Sequence, residues 1–153
     1  MHRYEARIHW TRGDAKFLDH RYSRGHAWSF DGGITVPGSS SPLSVPLPWS
    51  VAEAVDPEEA LVASASSCHM LWFLALAAKR GFLVESYVDE AFGVMEKNAA
   101  GKLAFTRITL RPRIELGGDR RPTAAELEAL HHDAHEECYI AQSLKADVVV
   151  EAV

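Results

Sequence analysis

Cysteine is scarce in this chain of 153 residues, since only Cys68 and Cys138 occur, 70 positions apart. Two cysteines cannot build the dense disulfide framework of a small secreted domain. Residues 1–10 alternate polar and apolar side chains and lack the apolar run of a signal peptide. A reducing compartment, the cytoplasm, is therefore expected, where two isolated cysteines are more often free, catalytic or metal-binding than a permanent crosslink.

An excess of positive charge is also lacking, because the net charge is −5 at pH 7. Nucleic acids and anionic membranes bind basic surfaces that neutralise phosphates, so neither is an expected partner. Residues 60–78 lack Asp, Glu, Lys and Arg and approach the ~20 residues that span a bilayer. Serines, a cysteine and a histidine occupy the middle of this segment. It is therefore predicted to be a central helix that is buried on all sides.

The length and the 47% hydrophobic content fit a single globular domain over residues 1–153. Alternation of polar and apolar residues predicts a half-buried strand over 4–10, and two short strands are predicted over 27–30 and 34–36. Four prolines and four serines predict an irregular loop over 37–49. Asp56 and Gly81 are typical of the start and end of a helix that reaches Arg80.

The C-terminal half alternates again over 87–96 and 103–116, which predicts one long antiparallel hairpin. Thr123 and Glu126 form a T-x-x-E capping box that opens a second helix, ending near Glu136. A last strand is predicted over 144–152. The order is βββ-α-ββ-α-β, an α+β fold with antiparallel sheets and segregated helices.

Cys68 lies within the first predicted helix, in the segment Ser66-Ser67-Cys68-His69. A small packed residue is one interpretation, because free cysteine is among the most buried residue types. The other is a reactive thiol, since its small polar neighbours leave room for a substrate. A thiolate can attack a peroxide O–O bond to give a sulfenic acid, which a second thiol converts to a disulfide. Cys68 and Cys138 are the minimum for that cycle.

The segment Asp56-Pro57-Glu58-Glu59-Ala60-Leu61, then Ser67-Cys68, with Cys138 after the capping-box helix, resembles the OsmC/Ohr family of organic hydroperoxide reductases. The resemblance covers residues 4–150. It implies an intertwined homodimer with two active sites at the interface, Cys68 as the peroxidatic cysteine and Cys138 as the resolving one. It further implies that organic hydroperoxides, and in some members hydrogen peroxide, are reduced with thiol or dithiol donors. No cofactor is expected.

Glu58 matches the carboxylate of the family's Asp/Asn-Pro-Glu motif. Ten residues separate Glu58 from Cys68, or about 15 Å along a helix, so the two cannot touch in one straight helix. Glu58 must therefore come from the partner subunit, which we favour, or precede a break in the helix. The alternative is a first-turn carboxylate that serves only the helix dipole.

The resemblance also implies an arginine from the N-terminal half of the chain. No arginine lies between Phe30 and Glu58, which departs from the usual family pattern. Arg24 is the first candidate for this arginine and Arg21 is the second. The alternative is that either side chain is only a solvated charge on the surface. His69 points about 100° away from Cys68 in a helix, so a satisfied core histidine is expected there rather than a catalytic base.

Two other functions stay open. His131, His135, Cys138 and Cys68 could bind zinc, although no short C-x-x-C unit is present and the histidines also fit an exposed helix face. The fold could also serve as a non-catalytic module that binds a small apolar ligand in a dimer cleft, because a fold does not prove chemistry.

Overall fold

Eleven helices and strands make up the computed structural model, which describes all residues from 1 to 153. Residue contacts group the chain into two compact units, 1–60 and 61–153. The predicted α+β class with antiparallel sheets is confirmed, while the element order is βββ-α-ββββ-αα-β rather than βββ-α-ββ-α-β. The elements are β1 Ala6–His9, β2 His26–Phe30, β3 Thr35–Gly38, α1 Pro57–Lys79, β4 Leu83–Asp89, β5 Phe92–Lys97, β6 Leu103–Leu110, β7 Pro112–Gly117, α2 Ala124–Glu137, α3 Tyr139–Ser143 and β8 Asp147–Val150.

The first unit contains the antiparallel sheet β1-β2-β3. The turn between β2 and β3 needs Gly33, whose φ of +86° is open to glycine at little cost. All four residues of β1 are exposed, so its predicted half-burial is wrong. β1 is an edge strand that pairs only with β2. Neither helix nor strand covers residues 39–56.

The start and end of α1 follow from local chemistry. Asp56 accepts the N–H of Glu59 at 2.7 Å, and Glu59 accepts the N–H of Asp56 at 3.3 Å, which forms a capping box. The helix ends before Gly81, which has a φ of +77°. α1 is uninterrupted from Pro57 to Lys79.

Burial of α1 on all sides is wrong. One stripe is buried, with a residue every four positions, and the opposite stripe is exposed. Because that outer side is not covered within the single chain, Leu71 remains 60% exposed. The buried stripe is Ala65, His69, Phe73 and Ala77, and the exposed one is Ala63, Ser67, Leu71 and Ala75.

α1 is long and apolar enough to cross a bilayer when judged by length and composition alone. Its buried stripe instead packs inside the second unit, where Phe73 and Ala77 contact Leu130 and Ala134 of α2. His69 also forms a hydrogen bond in that interior. These contacts assign α1 to the protein core.

The predicted long hairpin is divided into two antiparallel pairs, β5-β6 and β4-β7, which belong to separate sheets. The division falls where Pro112, which has no N–H to donate to a ladder, begins β7. The N–H of the preceding Arg111 leaves the ladder and donates to Oδ1 of Asp89 at 2.6 Å. Four shorter strands therefore replace the two predicted ones.

The C-terminal segment closes the second unit. α2 begins with the predicted capping box between Thr123 and Glu126. After the short helix α3, β8 pairs with β6 in parallel, an exception to the antiparallel pattern. A core cluster of Ala65, Ile108 and Leu110 packs against apolar residues that include Ile140 and Val148.

The capping box provides a test of the fold. Thr123→Ala should lower the free energy of unfolding by about 1 kcal/mol, because the first turn of α2 loses its side-chain acceptor. Denaturant titration measures the change. The exposed His132 lies on the same helix, and His132→Ala should stay within about 0.5 kcal/mol of the parent. Equal unfolding free energies for the Thr123 variant and the parent would contradict this role.

Candidate functional site

The two cysteines meet in the second unit. Cys68 lies in the middle of α1 and is half-buried, whereas Cys138 lies between α2 and α3 and is only 1% exposed. Both thiols are free, and the Cys68 thiol lies close enough to Cys138 to raise the pKa of Cys138. The tertiary structure thus brings two cysteines near each other that are 70 positions apart in the sequence.

The environment of Cys138 favours its protonated form. Burial, reinforced by the neighbouring Cys68 thiol, raises the pKa of Cys138 to about 11, although the N–H of Ala141 donates to its sulfur at 3.4 Å. Desolvation disfavours a thiolate at this position. Cys138 is therefore a thiol at neutral pH and can donate its S–H to Cys68.

A separate pocket of about 430 Å³ lies in the first unit and is lined mainly by apolar surface. Trp10, Phe17 and Tyr22 form one wall, with ring centroids 4.6 to 5.8 Å apart. Arg24 and Glu58 also line this pocket. Two of the four predicted site residues therefore share one cavity.

Arg24 is fixed by its own loop. Its Nη1 donates to the carbonyl oxygens of His20 and Tyr22 at 2.8 and 2.6 Å, and its guanidinium lies 3.7 Å from the Tyr22 ring centroid. This cation–π contact and the two hydrogen bonds favour one orientation of the side chain. Arg21 is exposed and does not line the pocket.

Glu58 differs from Arg24 in having an unsatisfied atom. Its Oε2 is buried without a hydrogen-bond partner, and so is Oγ of Ser40 in the same pocket. No ion pair joins Glu58 to Arg24. Buried polar atoms usually have partners, so this pocket can accept a polar end of a ligand beside its aromatic wall.

His69 is buried as expected, but it is paired with a residue that the sequence did not suggest. Its Nε2 lies 3.1 Å from Nδ1 of His131. His131 is 7% exposed, so its assignment to an exposed helix face is wrong. Burial, then the nearby His131 and His135, lowers the pKa of His69 to about 4, and burial also lowers that of His131. Both rings are neutral at pH 7.

The structure does not form the zinc site considered as an alternative. His131 faces His69, and no group of three or more His, Cys, Asp or Glu side chains has an arrangement that could hold a metal ion. Phe17 and Tyr22, which shape the pocket, carried no sequence signal because they lie in an irregular segment without periodicity.

The neutral histidines should make stability depend on pH. An unfolded histidine has a pKa near 6.5, so below that pH the unfolded chain binds protons that folded His69 does not bind. Stability should therefore fall as pH drops from about 6.5 toward 4, by up to about 1.4 kcal/mol per pH unit for each such group. Urea unfolding at several pH values measures this slope.

A variant isolates the contribution of His69. His69→Leu should reduce the slope between about pH 6.5 and 4.5, with His131 still contributing, whereas His132→Leu, at an exposed position, should leave the slope unchanged. The Glu126 carboxyl, whose pKa is lowered by its Thr123 hydrogen bonds, titrates below this window. If the parent and His69→Leu had identical slopes, the assignment of part of the pH dependence to His69 would be wrong.

Comparison with known proteins finds a family and a similar solved structure. A family model described as OsmC-like protein matches residues 50–153. An OsmC-like protein of unknown function from Vibrio cholerae is 49% identical, with a TM-score of 0.98 and 100% of each chain covered. None of the curated proteins that were compared matches this sequence.

More distant structures share the fold. An organic hydroperoxide resistance protein from Legionella pneumophila is 16% identical with a TM-score of 0.68, covering 99% of this chain and 96% of its own. One from Bacillus subtilis is 14% identical with a TM-score of 0.63 and the same two coverages. The predicted resemblance is thus confirmed. Because the family model matches most of the sequence and the Vibrio protein aligns over all of it, the chain belongs to the OsmC-like protein family.

Proposed function

We propose that this protein is a cytoplasmic thiol-dependent peroxidase that reduces organic hydroperoxides through Cys68 and Cys138. The observation that carries the proposal is the adjacency of one half-buried thiol and one buried thiol, both free. Two distant relatives by structure are named organic hydroperoxide resistance proteins, which supports this substrate class. Hydrogen peroxide is a second possible oxidant, and a thiol or dithiol is the reductant.

The first step is oxidation of Cys68. Its thiolate attacks the hydroperoxide, an S–O bond forms, the O–O bond breaks, and the leaving alkoxide takes a proton to become an alcohol. Cys138 remains protonated because burial raises its pKa to about 11, so its S–H can stabilise the neighbouring thiolate. The order of reaction follows: Cys68 reacts with peroxide, and Cys138 reacts second.

The second step forms the disulfide. The Cys138 sulfur attacks the sulfur of the Cys68 sulfenic acid, an S–S bond forms, and hydroxide leaves as water with the Cys138 proton. Exchange with a dithiol donor then returns both cysteines to thiols and oxidises the donor. The adjacency of the two sulfurs supports this closure.

Arg24 and Glu58 are proposed to complete the site from the partner subunit of a homodimer. Glu58 lies ten residues before Cys68 in an uninterrupted helix, about 15 Å along its axis, so it cannot reach Cys68 of the same helix. The exposed stripe of α1, which is apolar except for Ser67 and includes Leu71, is a surface that a second copy can cover. The pocket's aromatic wall would hold the organic part of the substrate, and the guanidinium would supply positive charge.

Substitution of each cysteine tests the two roles. One equivalent of cumene hydroperoxide should oxidise the reduced parent to a Cys68–Cys138 disulfide within one chain, seen by mass spectrometry as a loss of two hydrogens. Cys68→Ser should abolish this reaction. Cys138→Ser should react once and then over-oxidise to sulfinic acid.

The controls separate the alternatives. Normal recycling of Cys138→Ser with a dithiol would overturn the resolving role. If the thiols of the parent stayed intact for minutes with cumene hydroperoxide, the proposed peroxidase activity would be wrong. Tight binding of cumene alcohol would then favour the alternative of a non-catalytic ligand-binding module. Oxidation of Cys138 before Cys68 would reverse the proposed order.

Mixed dimers test the shared site. Glu58→Ala and Cys68→Ser should each be inactive alone, and their mixture should recover roughly a quarter of the parent activity, because half of the dimers are mixed and each has one intact site. The matched control mixes Glu58→Ala with Arg24→Ala, which damages both pockets and should recover nothing. No recovery in verified mixed dimers of the first kind would contradict a shared site.

A further inference from the structure

A buried histidine pair joins α1, which carries Cys68, to α2, which ends directly before Cys138. His69 follows Cys68 directly in α1. His131 lies in α2 about two helical turns before Cys138, which directly follows the last residue of that helix. The hydrogen bond between the two histidines therefore connects α1, at the residue next to Cys68, with α2, about two turns before Cys138.

The geometry is that of a directed hydrogen bond rather than ring stacking. The two imidazole planes differ by only 6°, their centroids are 5.4 Å apart, and the nitrogens Nε2 of His69 and Nδ1 of His131 are 3.1 Å apart. Since the rings are nearly parallel and their nitrogens are much closer together than their centroids, the two rings lie edge to edge. One ring therefore donates N–H along the line to the lone pair of the other.

The surroundings hold this pair neutral. Phe73 packs on the face of His131 with centroids 4.6 Å apart, and Nδ1 of His69 and Nε2 of His131 have no partners. The titratable groups around the pair are His135 on α2 and Tyr87 and Asp89 on β4. Asp89 is engaged by Ser66 and the N–H of Arg111, so the pair's own bond is its main polar interaction.

We propose that His69 and His131 are positioning residues whose hydrogen bond holds α1 and α2 at the spacing that lets Cys68 and Cys138 form a disulfide. A disulfide requires the two Cα atoms within about 7 Å and correctly aimed Cβ atoms. Apolar contacts such as Phe73 with Leu130 are non-directional and tolerate a slide of one helix along the other. The hydrogen bond is directional and opposes that slide.

This inference rests on the proposed pairing of Cys68 with Cys138, but its test does not need peroxide. Oxidised dithiothreitol can accept the two electrons and two protons: the protein dithiol becomes a disulfide and dithiothreitol becomes a dithiol. The equilibrium constant at pH 7 reports how well the two sulfurs are positioned. Mass spectrometry of acid-quenched samples measures the oxidised fraction.

Leucine substitution should weaken disulfide formation. His69→Leu and His131→Leu each remove the bond while filling the apolar interior, and each should lower the equilibrium constant by at least about tenfold, equivalent to about 30 mV. His69→Gln places an amide nitrogen near the position of Nε2, and His131→Asn places one near Nδ1. These two variants should stay within about threefold of the parent.

The remaining variants decide between positioning and general stability. His132→Leu, at an exposed position on α2, should match the parent. Circular dichroism establishes whether each variant folds. If only one of the two leucine variants folds, that variant alone is enough for the test. If folded His69→Leu or His131→Leu keeps the parent equilibrium constant, or if His69→Gln and His131→Asn lose as much as the leucine variants, the positioning role is wrong.

The outcomes also separate this inference from the proposed function. A parent that forms the Cys68–Cys138 disulfide with dithiothreitol, and shows the expected variant pattern, but ignores hydroperoxides would support the positioning role and overturn the peroxidase. A parent that forms no such disulfide with oxidised dithiothreitol would overturn the positioning role.

Discussion

The packing of α1 against α2 is the constraint on which the candidate chemistry depends. A buried stripe with four-residue spacing, which includes His69 and Phe73, lies against Leu130, His131 and Ala134. This spacing keeps the stripe on one side of the helix. Cys68 lies on a neighbouring side, half-buried, where it meets the sulfur at the end of α2. The helix pair therefore provides both the core and the place where the two thiols meet.

The thiols differ because their burial differs. Cys138 is almost fully buried, and desolvation keeps its proton, while Cys68 is partly open. This difference in environment is the basis for the different roles proposed for two chemically identical side chains. The capping position of Cys138, where the N–H of Ala141 points at its sulfur, fixes the side chain in place.

The first unit contributes a different kind of feature. Its pocket combines an aromatic wall with Arg24, which its own loop carbonyls hold in place, and with Glu58, which has a buried and unpartnered oxygen. A polar atom left without a partner is costly unless something binds it. This is the physical basis for the proposal that the pocket binds a ligand with a polar group at one end.

Local chemistry in the sequence determined the capped helices, the turn at Gly33 and the alternating strands, because each depends on residues a few positions apart. The two cysteines and the motif around Glu58 also suggested the family, which the comparisons confirm. Only the tertiary structure decided that Cys68 meets Cys138, that His131 is buried against His69, and that one face of α1 is left open. These features depend on contacts between distant segments, and burial, which sets protonation, exists only once those segments pack.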